Sequence, residues 1–98
     1  MPTIKKRRMD LINREVMLIL EAVFPVAHSA RYIGNEVDFA QKVNRPTKTE
    51  VWRSLEYQVS EGHAKKIPDP KSTSDDLYLA TSDGIDFAHR HYIGIDDA

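Results

Sequence analysis

The sequence predicts an α+β domain with three helices, a two-stranded hairpin and a closing helix. Three observations carry this. Apolar residues recur at helical spacing over 10–24 and again over 47–60. A polar, turn-rich stretch at 68–76 separates two short strand patterns. Thr47-Lys48-Thr49-Glu50 before the hairpin and Thr81-Ser82-Asp83-Gly84 after it both read as helix starts.

Residues 1–9 form a basic N-terminal arm in this reading, because Lys5, Lys6, Arg7 and Arg8 repel one another and do not nucleate structure alone. Asp10 is the expected cap of the first helix, which runs to about Phe24 and stops at Pro25. Ile12, Val16, Ile19, Leu20 and Val23 share one face and make the core stripe. Leu11, Leu18 and Ala22 lie on a second face broken only by Glu15, to be covered by the C-terminal helix or by another subunit. Residues 25–34 are ambiguous between a loop with a turn of helix and a short extended piece. Asn35 is the expected cap of the second helix, with Val37, Phe39, Ala40 and Val43 on it, and Asn44-Arg45-Pro46 breaks it because proline restrains the residue before it.

The third helix opens with a capping box. The Thr47 hydroxyl can accept from the Glu50 amide while the Glu50 carboxylate reaches back to the Thr47 amide. Val51, Leu55 and Val59 form its buried ridge, with Trp52 on the flank. Thr49, Arg53, Glu56 and Ser60 project from the other side, with Glu50 and Tyr57 beside them. Gly62 supplies a left-handed stop. Ala64–Ile67 and Leu77–Ala80 are the hairpin strands. Thr81 caps a last helix, in which Ile85, Ala88, His89 and Tyr92 share a face. Gly94 ends it, so the domain spans 10–93 and an acidic tail spans 94–98.

At 98 residues the chain is long enough for one domain with a small core. It has no cysteine, so neither a disulfide framework nor a thiolate metal site is available, which suits a reducing, cytoplasmic setting. No apolar run approaches a membrane span, and no apolar segment follows the basic N-terminus as in a signal peptide. Net charge is −1, against an indiscriminate nucleic-acid coat. The charge is nevertheless polarised. Residues 1–71 carry 13 Lys/Arg against 9 Asp/Glu, and residues 72–98 carry one Arg against six Asp. Such a chain could orient on DNA with its acidic end outward, or the asymmetry is incidental.

Enzymatic chemistry finds no support: there is no glycine-rich phosphate loop, nucleophile elbow or metalloprotease motif. His89 and His91 fall on different helix faces, and His28 and His63 are distant, so no metal site and no cofactor is expected.

These elements carry a resemblance. Phe39-Ala40, Val51 and Leu55 at eleven and seven residues before Gly62, the polar hairpin and Tyr78-x-Ala80-Thr81-x-x-Gly84 are similar to the pattern of winged helix-turn-helix proteins. The closest style is that of MarR-like and PadR-like transcription regulators. The closing motif matches Tyr-x-Leu-Thr-x-x-Gly with alanine in place of leucine. The resemblance covers roughly residues 10–93. It implies a three-helix core, a two-stranded wing and a C-terminal helix.

It also implies sequence-specific binding of double-stranded DNA, with helix 47–60 reading the major groove. Thr47, Lys48, Thr49, Trp52, Arg53 and Tyr57 stand at candidate reading positions. Arg45 can add a phosphate contact, Lys65, Lys66 and Lys71 can follow the backbone of an adjacent groove, and Lys5, Lys6, Arg7 and Arg8 can enter a minor groove or lie along phosphates. Each has a plainer reading. Arg53 can pair with Glu50, Glu56 or the Tyr57 hydroxyl; Thr47 can serve only as a cap; Trp52 can plug the core edge. The arm can be solvated, and Lys65 and Lys66 alternate, so only one faces DNA. A homodimer through Leu11, Leu18 and Ala22 with Ile85 and Tyr92 of the last helix is expected. The alternative function is a protein–protein interaction module of the same fold, favoured by the pI of 6.4 and by Glu50 and Glu56 on the reading helix.

Overall fold

Seven elements follow in the order α1 (Pro2–Val23), β1 (His28–Ser29), α2 (Ala30–Ala40), α3 (Lys48–Ser60), β2 (Ala64–Pro68), β3 (Asp76–Ala80) and α4 (Ser82–His91). The computed structural model describes residues 2–40, 46–71 and 76–93, with side chains from Arg8 onward except those of 38–40. α1 packs against α2, α3, α4 and β3, so it is the spine of the core. Ile12, Val16 and Leu20 are buried along its stripe, and Ile19 packs beside them. Met17, outside the expected stripe, is fully buried as well. Ile33 and Val37 of α2, Val51 and Leu55 of α3, Tyr78 and Ala80 of β3 and Ala88 of α4 complete the core.

The sheet is antiparallel with strand order β1-β3-β2. Ala64 pairs with Ala80, Lys66 with Tyr78 and Pro68 with Asp76 across the hairpin. His28 and Ser29 pair with Tyr78 and Leu77 on the other edge. The wing hairpin therefore belongs to a three-stranded sheet, where a two-stranded one was expected. Two residues are too few to show a strand's alternation in sequence.

Two helix starts differ from expectation. α1 begins at Pro2, so residues 2–9 continue the helix and do not form a separate arm, and Asp10 lies within the helix as an exposed residue. Proline suits the first helical position, and lysine and arginine are good helix formers. Their mutual repulsion is outweighed by propagation from a packed helix. α2 begins at Ala30, and Asn35 is inside it. The Ser29 hydroxyl accepts from the Tyr32 amide at 3.2 Å, which is the cap that Asn35 was expected to provide.

The end of α3 and the start of α4 are joined tightly. Gly62 has φ +78°. Its amide donates to Val59 O and the His63 amide to Gln58 O, the paired bonds of a Schellman stop. Thr81 then holds both sides of this junction. Its hydroxyl donates to Gly62 O at 2.6 Å and accepts from the Gly84 amide at 3.0 Å, and its own amide donates to His63 O. Gly84 lies so close to His63 that a Cβ there would stand 1.9 Å from the carbonyl oxygen. The Tyr-x-Ala-Thr-x-x-Gly motif is thus a structural junction. Val43, the break at Asn44-Arg45, the hairpin tip at 72–75, Gly94 and the acidic tail lie outside the described residues.

Candidate nucleic-acid interface

α3 is built as the sequence requires. The Thr47 hydroxyl accepts from the Glu50 amide at 3.1 Å, and Glu50 Oε1 accepts from the Thr47 amide at 2.8 Å, so the capping box is complete. Val51 and Leu55 are buried and Val59 is half-buried, which fixes the helix's rotation. Ser54 and Gln58 are also buried, and the Gln58 amide group donates to Asn13 O on α1 at 3.3 Å. The outer side presents Thr47, Lys48, Thr49, Trp52, Arg53 and Tyr57, all exposed. Trp52 is 52% exposed and Tyr57 48%, so Trp52 does not plug the core edge. One side of Trp52 borders a cleft of about 310 Å³ between α2 and α3, with Arg31, Gly34, Pro46, Lys48 and Val51 around it.

Neither glutamate of this side stands as an open charge. Glu50 receives a two-pronged contact from Arg8 of α1, Nε to Oε2 at 2.7 Å and Nη2 to Oε1 at 3.0 Å. The Arg8 guanidinium, aided by the Thr47 amide, holds the Glu50 carboxyl at a pKa of about 2 against desolvation that acts the other way. Glu56 Oε2 accepts the Tyr78 hydroxyl at 2.7 Å and faces the Lys66 ammonium at 3.0 Å. The Tyr78 hydroxyl, with help from Lys66, moves the Glu56 carboxyl below its usual value. Burial, and then Glu56, pushes the Tyr78 phenol up. Arg53 makes no ion pair with either glutamate among the described residues, since both are engaged elsewhere.

On the hairpin, Lys65, Lys66 and Lys71 are exposed. Lys66 sits opposite Tyr78 in register and shares its face, so it reaches Glu56, while Lys65 alternates to the other face. The side chains of Lys5, Lys6 and Arg7, and all of Arg45, lie outside the described residues. Of the expected dimer residues, Leu11 is 53% exposed and Ala22 is exposed, Leu18 is half-buried, and Ile85 and Tyr92 pack against this chain's own core. Sequence reasoning missed both glutamate pairings. Arg8 and Glu50 are 42 residues apart, with no local signal. The Lys66–Tyr78 pairing was accessible by counting outward from the middle of the polar tip.

Among the described residues, no group of three or more His, Asp or Glu could hold a metal ion, and no helix is long and apolar enough to cross a membrane.

A helical core with a capped, outward-facing third helix, an antiparallel hairpin and a closing helix defines a winged-helix fold of the MarR-like kind. The chain is similar in structure to a cysteine-to-serine mutant of MarR from E. coli, crystallised in complex with operator DNA. The TM-score is 0.58 and the identity 16%, over 80% of this chain and 51% of that one. The chain thus spans about half the length of that solved protein. No protein-family profile matches the sequence, and no curated protein matches it.

Proposed function

We propose that this chain binds double-stranded DNA sequence-specifically as a small transcription regulator, with α3 docked in the major groove. The observation that carries the reading is the outer side of α3. Thr49 and Arg53 stand exposed there, and both glutamates of the helix are neutralised by cations from other elements. Arg53 can make a bidentate contact with guanine, Thr49 can meet donors or acceptors on base edges, and Lys48 and the helix start can meet a phosphate. Lys65 and Lys71 suit phosphates beside the hairpin, and Lys5, Lys6, Arg7 and Arg45 would add cationic contacts. The fold shared with MarR, a protein solved on its operator, supports this reading. A homodimer would place two α3 helices on half-sites about one helical turn apart. The exposed Leu11 and Ala22 of α1 support such pairing. No enzymatic role is proposed, and a cytoplasmic location accords with DNA binding.

The test is selection of bound duplexes from a random pool, followed by affinity measurement over a salt series. A reader with several phosphate contacts loses affinity steeply between low and moderate salt. Retention of no duplex at low salt would reject the proposal.

A second reading has its own observation. Trp52 and Tyr57 are large aromatics left about half exposed on α3, and such residues anchor protein–protein interfaces. A partner protein captured through α3 and released by Trp52→Ala, without any duplex binding, would favour the interaction module.

A further inference from the structure

We infer that Arg8 and Lys66 act in DNA reading as charge-cancelling, positioning residues and make no phosphate contact themselves; this rests on the DNA-binding reading above. Glu50 lies three residues from Arg53 and beside Thr49, so an uncovered carboxylate there would face the same phosphates that Arg53 and Lys48 attract. Both of its oxygens are engaged. Oε1 accepts from the Thr47 amide and from Arg8 Nη2, and Oε2 accepts from Arg8 Nε. The planar guanidinium matches the carboxylate with two parallel bonds, which an ammonium could not do. Glu56 is treated in the same way from the hairpin, with Lys66 on both oxygens and the Tyr78 hydroxyl on one.

A cation held in this manner can reach a phosphate only by breaking its pair. Doing so uncovers a glutamate on the reading face, so the net attraction to DNA does not grow. The Arg8 and Lys66 side chains are each 37% exposed, and their glutamates are 24% and 28% exposed. The pairs therefore sit at the rim of the reading face, close enough to the surface for their net charge to be felt. On α3 and the hairpin, the described cations left to meet DNA are Lys48, Arg53, Lys65 and Lys71.

The test is a charge-rescue series on a selected duplex: Arg8→Gln, Arg8→Gln with Glu50→Gln, Lys66→Gln, and Lys66→Gln with Glu56→Gln. Glutamine at position 50 keeps the capping box, since the third position of that box accepts either residue. Each single cation loss is expected to weaken binding by about 3- to 10-fold, the effect of one uncompensated charge a few ångströms from phosphate in a mostly aqueous setting. The paired glutamate change is expected to restore affinity to within about twofold, and the slope of affinity against salt is expected to equal that of wild type. Thermal unfolding of each variant confirms that folded protein is compared. A single variant that stays weak after the glutamate is neutralised, with its salt slope reduced by about one, identifies a direct phosphate contact and overturns the inference. A single variant with no loss of affinity also overturns it. Both outcomes leave DNA binding by the wild-type chain intact, whereas failure of wild type to bind any duplex removes the DNA reading and this inference with it.

Discussion

Tyr78 of β3 donates its hydroxyl to Glu56 of α3 across 2.7 Å, joining the hairpin to the helix beside it. The bond is well placed to matter, because Tyr78 is buried at 3% exposure and Glu56 is an ionised acceptor. Tyr78→Phe keeps the ring in the core and removes only the donor. Hydrogen bonds to charged groups contribute about 1.5–3 kcal/mol, and Glu56 retains Lys66 and some water, so the expected loss is about 1–2 kcal/mol. Urea unfolding of the variant against wild type measures it.

The Arg8–Glu50 pair predicts an acid-side loss of stability. Glu50 has a folded-state pKa of about 2, below its ordinary 4.5. A lowered carboxyl pKa adds stability that is complete above the ordinary value and drains away as pH falls toward 2. The Arg8 side chain is 37% exposed, so water screens the pair and its contribution is well below what the pKa shift alone implies. Chemical unfolding at pH 6 and at pH 3 is expected to show a smaller difference for Glu50→Gln than for wild type.

Gly84 and Gly62 differ in what a methyl group would meet. A Cβ at Gly84 falls 1.9 Å from the His63 carbonyl oxygen and 2.7 Å from its carbon, and backbone cannot swing aside as a side chain can. Gly84→Ala is expected to cost about 3 kcal/mol or more. Gly62→Ala meets nothing within 4 Å and carries only the left-handed penalty at φ +78°, about 1–2 kcal/mol. Paired thermal or urea unfolding of the two variants should rank them in that order.

Arg53→Ala is expected to weaken binding to a selected duplex by about 1–3 kcal/mol and to relax preference at one base position. Lys65→Ala is expected to weaken all duplexes alike and lower the salt slope by about one. Competition binding with single-base variants of the duplex separates the two effects.

The sequence revealed most where the determinant is local. The capping box at Thr47 and Glu50, the Val51–Leu55 ridge, the left-handed Gly62 and the Thr81 cap are patterns within a few residues, and each holds. Short or distant determinants were not legible. β1 has two residues, and its partner strand comes nearly fifty positions later. The start of α1 was hidden because a run of like charges argues for solvation, while helix propensity and a packed continuation argue the other way. The face of α3 was visible as a pattern of exposed residues, but its charge was misread. Counted along the chain, Glu50 and Glu56 make the face acidic; in space, Arg8 and Lys66 pair with them.

The junction around His63 makes the hairpin and the third helix a single lever. With Thr81 bound to Gly62 and His63, and Gly84 seated against the same carbonyl, pivoting the base of the hairpin independently of the helix end would break these contacts. A pull on the hairpin is thereby expected to load the helix end, so that the two would meet any partner as one stiff, two-pointed tool.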